Sequence, residues 1–153
     1  MKIPIRLDQA LIKLYAAFYD DALNPECCKQ CAVGNILDKT DTWKHLSDHH
    51  GSLQLNYVGL VHERLGRRFN GYLPSELLQI EKSFLEGCGY NTPLFYNGNV
   101  KKRSKLEDDL YNGMCAVITT LCYLDGIKNV LDYTQVLSTG KNTVNAYHSN
   151  RIV

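Results

Sequence analysis

Apolar residues recur at helical spacing through most of the first 125 positions, and the lapses in that spacing divide the chain into elements. Leu7, Leu11, Leu14, Tyr15 and Phe18 share one face, with Lys13 and Asp20 off it, which predicts an amphipathic first helix. Asn24-Pro25-Glu26 offers a cap, a residue suited to a first turn and a carboxylate for the positive helix end. A second helix is therefore expected over about 25–38. Residues 42–47 read as a short helix carrying Trp43 and Leu46, and Gly51-Ser52 interrupts the pattern. Another helix is expected over 55–65, with Val58, Val61 and Leu65 turned inward and Gly66 just past its end. The alternation of Leu53, Leu55 and Tyr57 also allows a short strand at its start.

Pro74 opens the next helix, Glu76 sits in its first turn, and Leu77, Ile80, Phe84 and Leu85 form its buried face until Gly87 or Gly89 closes it. Residues 89–104, with Asn, Gly, Pro and a basic run at 101–105, are expected to be a loop. Ser104 and Glu107 have the spacing of a capping box. Behind them Leu106, Leu110, Val117, Leu121 and Leu124 make the longest apolar stripe, which Asp125-Gly126 ends. A short helix over 130–137 and a loose polar tail over 138–153 complete the chain. The pattern predicts an all-α fold. It is a single compact domain of five or six helices over residues 1–137, with 74–87 and 106–124 at its centre.

Composition narrows the function classes. The chain has 153 residues, enough for one domain and too few for separate cofactor and substrate domains. Seventeen basic and sixteen acidic residues nearly cancel, which argues against a polyanion binder that works through bulk charge. The basic clusters Arg64-Leu65-Gly66-Arg67-Arg68 and 101–105 read as solvated faces, so nucleic acid is not the expected partner. The sequence has no run of 18 apolar residues and no secretory leader, so the expectation is a soluble cytoplasmic protein without a membrane span. Any assembly is expected to be a symmetric homodimer, the commonest form.

The six cysteines carry the main chemical signal. Cys88, Cys115 and Cys122 lie among apolar neighbours and are expected to be buried thiols. Cys27, Cys28 and Cys31 crowd into five positions. Cys28 and Cys31, with His45 and His49, spell C-x2-C-x13-H-x3-H, a spacing compatible with zinc between two helices. Cys27 and His50 are adjacent substitutes, and Asp41 and Asp48 are the nearest acceptors to orient the imidazoles. Two other readings stay open. The cysteines can be packed thiols beneath a polar histidine-bearing turn, or Cys27, Cys28 or Cys31 can be an activated nucleophile near a helix N-terminus.

Four segments together resemble a known group. They are residues 1–7, PECCKQCAVGNIL at 25–37, WKHLSD at 43–48 and the stretch from Asn70-Gly71-Tyr72 to Glu81. They resemble small bacterial proteins that carry the label of the sodium-translocating NADH:quinone reductase, as its flavin- and iron–sulfur-bearing component, over residues 1 to about 135. The resemblance implies a redox accessory role in an NADH-linked system. The iron–sulfur motif of the full-length component, C-x5-C-x2-C, is not matched, because Cys27 adjoins Cys28. Gly87-Cys88-Gly89-Tyr90-Asn91-Thr92-Pro93 does not match its nucleotide loop either, and no flavin motif is present. The leading expectation is a binding or accessory module whose Cys/His cluster is structural or holds zinc. A redox accessory protein and a cysteine-dependent enzyme are the alternatives.

Overall fold

The first apolar stripe folds as its periodicity predicts. Helix α1 spans Ile5–Tyr19 and buries Leu7, Ala10, Leu11, Leu14 and Ala17. The computed structural model describes residues 3–96, 99–102 and 108–127, so the expected capping box at 104–107, the 130–137 helix and the 138–153 tail lie outside it. Helix α2 is Ala32–Ile36, α3 is Tyr57–Arg64, α4 is Pro74–Gly87 and α5 is Asp109–Leu124, with a single 3-10 turn at Lys44–Leu46 among the described residues. Pro74 takes the first helical position of α4, and the Glu76 carboxylate accepts the Leu73 N–H at 2.9 Å, which fixes that start. Helix α4 packs most extensively on α5, while α1 touches both α2 and α5. Among the described residues the helices enclose one apolar core that runs from Leu7 to Cys122 and includes Trp43, Tyr72 and Phe84. This is the expected all-α domain, with α4 and α5 at its centre.

Five local expectations are corrected. The helix over 25–38 reduces to Ala32–Ile36. Asn24 caps a turn instead, its side chain accepting the Glu26 N–H, and its own N–H reaches the Gln30 carbonyl to close a loop over 24–30. The loop over 89–104 contains two antiparallel strands, β1 (Tyr90–Tyr96) and β2 (Asn99–Lys102), paired Tyr90 to Lys102 and Tyr96 to Asn99. In sequence they are separated by Asn97-Gly98, the dipeptide most favoured between hairpin strands. No strand forms at 53–57. Val58, Val61 and Leu65 point outward, and Cys115 is exposed, whereas Cys88 and Cys122 are buried.

Arg6 joins the ends of three elements. Its guanidinium donates to Asp125 Oδ1 at 2.7 Å, Glu76 Oε1 at 2.9 Å, the Gly71 carbonyl at 2.9 Å and the Leu124 carbonyl at 3.1 Å. It also lies 4.5 Å above the centre of the buried Tyr72 ring. The start of α1 is thereby tied to the start of α4 and the end of α5. The planar fork satisfies two carboxylates and two carbonyls at once, which a lysine ammonium has neither the donors nor the geometry to do. Arg6→Ala is expected to lower the urea unfolding free energy by about 2–3 kcal/mol, since it leaves half-buried charged acceptors unpaired. Arg6→Lys should recover less than half of that loss in the same measurement.

Candidate metal centre

The segment between α1 and α3 has little regular structure, yet most of it is held tightly. Cys31 is the N-cap of α2 and fully buried, and its Sγ accepts the Gly34 N–H at 3.3 Å. The preceding turn crosses so close to Gly34 that any β-carbon there would overlap the Cys28 and Lys29 backbone. Glycine is therefore the residue that lets the Cys28 turn lie on α2. The Cys28 carbonyl receives the Trp43 indole N–H at 3.1 Å and faces the Cys31 thiol at 3.6 Å. Asn35, also buried, donates through Nδ2 to the carbonyls of Ala22, Gln30 and Cys31. These bonds replace the helix ladder that the 25–31 stretch lacks. At the far side of the same loop, Tyr90 donates its hydroxyl to Glu26 Oε2 at 2.7 Å.

Two further side chains converge on Cys31. Glu81 projects from the inner face of α4 and is 1% exposed. One of its oxygens accepts the Val33 N–H at 3.3 Å, and the other lies 2.8 Å from His50 Nε2. His50 comes from the turn after Ser47, and its ring meets the edge of Trp43 at 5.9 Å between centroids. One ligand atom each from Cys31, His50 and Glu81 lies within 4.8 Å of the other two. Cys28, half-buried, lies with its side chain beside His50.

The charges in this group are mutually dependent. Burial disfavours the imidazolium of His50, but the side chains of Cys28 and Glu81 outweigh that and raise its pKa to about 10. Burial, and then the Glu81 carboxylate, push the Cys31 thiol well above its ordinary value. Without a metal, the group thus holds a proton on Cys31 and another on His50.

The structure brings Cys31 into this group and sets Cys28 at its edge. His45 and His49 do not join it. His45 is exposed and meets the His62 ring edge-to-face at 5.8 Å between centroids, and the exposed His49 accepts the Ser47 hydroxyl through its carbonyl. The adjacent His50, named from the sequence as a substitute, occupies the place. Asp41 pairs with Lys44 and Asp48 is exposed, so neither orients the buried imidazole. That function falls to Glu81, which the spacing of cysteines and histidines does not reveal. One signal for it exists: Glu81 is four residues after Leu77 and three before Phe84, a carboxylate inside an apolar stripe.

No family model, curated protein or solved structure matches the chain. No helix among the described residues is long and apolar enough to cross a membrane.

The His50–Glu81 pair carries a pH signature in metal-free protein. A histidine whose folded pKa exceeds its unfolded value near 6.5 contributes stability that is complete below that value. The contribution fades as pH rises and is lost through about 10. Chelator-treated protein should therefore show a urea midpoint that declines between those limits, and the decline should flatten in His50→Gln.

Proposed function

We propose that the chain is a small binding or accessory module whose irregular 20–56 segment is stapled to α4 by one zinc ion. Cys31 Sγ, His50 Nε2 and a Glu81 oxygen are the ligands, and Cys28 closes the fourth position. The observation that carries this reading is the convergence of three ligand atoms within 4.8 Å, from three separate segments, at a buried place. Thiolate, imidazole and carboxylate together suit zinc. Tetrahedral bonds of about 2.0–2.3 Å separate ligand atoms by about 3.3–3.8 Å, so Cys31 Sγ closing in by up to about 1 Å, while His50 Nε2 and Glu81 part slightly from their 2.8 Å contact, seats the ion. The Glu81 carboxylate supports the same reading, because a divalent ion compensates a buried charge better than one imidazole does. So does the need of a loop-rich segment for a cross-link, since α2 has only five residues.

A thiol enzyme is the second reading. It is favoured by the order Cys28, His50, Glu81, in which a half-buried thiol adjoins an imidazole oriented by a carboxylate.

Metal analysis of the purified protein separates the two. Zinc near one equivalent per chain, lost in Cys31→Ser and Glu81→Gln and kept in His45→Ala and His49→Ala, is the expected result. X-ray absorption should place sulfur near ~2.3 Å and nitrogen or oxygen near ~2.0 Å. Zinc loading should displace protons from its thiol and imidazole ligands, Cys31 and His50 among them, so affinity should fall steeply below neutral pH, and a chelator should lower the melting temperature. Metal-free protein in which iodoacetamide rapidly alkylates Cys28 alone at neutral pH would favour the enzyme. Flavin or iron–sulfur absorbance bands would favour a redox accessory of an NADH:quinone reductase-like system.

A further inference from the structure

Helix α3 is built inside out. Tyr57, Leu60, Val61 and Leu65, at spacing i, i+3, i+4 and i+8, form an apolar stripe, and all four are exposed, from 37% at Val61 to 81% at Tyr57. The inward side carries small and polar groups. Gly59 is the buried residue of α3, and a β-carbon there would collide with the Leu46 carbonyl. Glu63 spends both oxygens on Ser75, accepting its N–H at 2.9 Å and its hydroxyl at 2.7 Å. The sequence thus places apolar residues where water meets them and uses glycine and a capping carboxylate to hold the helix down. Beside the stripe runs a groove of about 740 Å³ between α3 and α4, with Leu53, Leu60 and Leu78 among its walls.

We propose that this face docks an acidic amphipathic helix of a partner protein, its apolar stripe seated in the groove. The occupant's charge follows from the rim. Lys82 borders the groove from α4, and beyond its lining, at the end of α3, Arg64 lies one turn past the groove residue Leu60 with Arg67 three positions on in sequence. Arg64 and Arg67 are exposed and form no ion pair among the described residues. Lys82 has only a surface contact with Glu86 at 4.0 Å, which contributes little. Glu63, the acid of α3, is turned inward and occupied, so a partner with carboxylates along its flanks meets uncompensated cations. A second copy is a poorer occupant, because a two-fold contact through this face brings the same arginines together. A lipid surface is poorer as well. The groove is concave, and α3, about 12 Å long, offers too little length to lie in a membrane interface. A helix filling a groove with anchors at i, i+3, i+4 and i+7 satisfies the shape and the charge together. The zinc reading is not needed for this inference.

The test uses the full chain and a synthetic helical peptide of about four turns. The peptide has leucine at i, i+3, i+4 and i+7 and glutamate along both flanks. A peptide of the same composition with scrambled order serves as control. Calorimetric titration should give micromolar binding to the ordered peptide, weakening as salt rises, and at least ~10-fold weaker binding to the scramble. The double variant Leu60→Ser, Val61→Ser changes side chains that are 44% and 37% exposed, so its circular dichroism should match the wild type, with at most a small drop in melting temperature, while affinity falls at least ~10-fold. Arg64→Glu with Arg67→Glu should lose affinity for the acidic peptide and gain it for a lysine-flanked version. Equal affinity for ordered and scrambled peptides, or for wild type and the serine variant, overturns the proposal. So does sedimentation with phosphatidylcholine–phosphatidylserine vesicles in place of peptide binding, which assigns the face to lipid. A dimer abolished by the serine variant assigns it to a second copy and likewise overturns the proposal.

Discussion

A carboxylate shut away from water must be compensated where it lies, and Glu81 imposes that demand at the centre of this molecule. From α4 it reaches the Val33 N–H at the start of α2 and the imidazole of His50. Those two contacts position the least regular third of the described chain. Helix α2 is too short to persist alone, and the turn bearing His50 has no ladder of its own. Trp43 then closes over both, its indole N–H on the Cys28 carbonyl and its edge against the His50 ring. The order of dependence runs from α4 outward. An apolar helix face is secured first by packing, and one charged residue on that face recruits the loops around it.

How much of this is legible in the sequence follows from how local each determinant is. Helices α1, α4 and α5 are readable because each buries a continuous stripe, and for α4 the Pro74 and Glu76 start signals agree with the stripe. The stretch 25–31 is not readable, because Asn24-Pro25-Glu26 suits a helix start and an Asx turn equally well. What decides between them is Asn35 reaching back to Gln30 and Ala22. The strands at 90–102 are hidden when Asn, Gly and Pro are read as loop residues, although Asn97-Gly98 also signals a hairpin turn.

The cluster is half legible for a similar reason. Spacing points to Cys28, Cys31, His45 and His49, of which Cys31 lies in the cluster and Cys28 beside it, and a shift of one position, from His49 to His50, turns an imidazole from solvent to core. The third side chain of the cluster comes from a residue 31 positions beyond His50, and no local motif spans that distance. In α3 the periodicity is real and its direction is the reverse of the expected one. Periodicity reports that one face is apolar and leaves open whether that face meets the core. A glycine midway along the other face, at Gly59, is the local sign that the backbone itself is what approaches the core.

The Arg6 clamp has a consequence for how the chain comes off the ribosome. Its partners lie 65, 70, 118 and 119 residues downstream, so α1 emerges with its guanidinium unmatched. Synthesis at about 5–20 residues per second leaves it waiting for several seconds before the end of α5 is available. During that interval α1 has α2 and, once residues 71–76 have emerged, the Gly71, Tyr72 and Glu76 side of the clamp, while the Leu124 and Asp125 side is still to come. The last bonds of the clamp on the N-terminal helix thus form only when the end of the last described helix is complete.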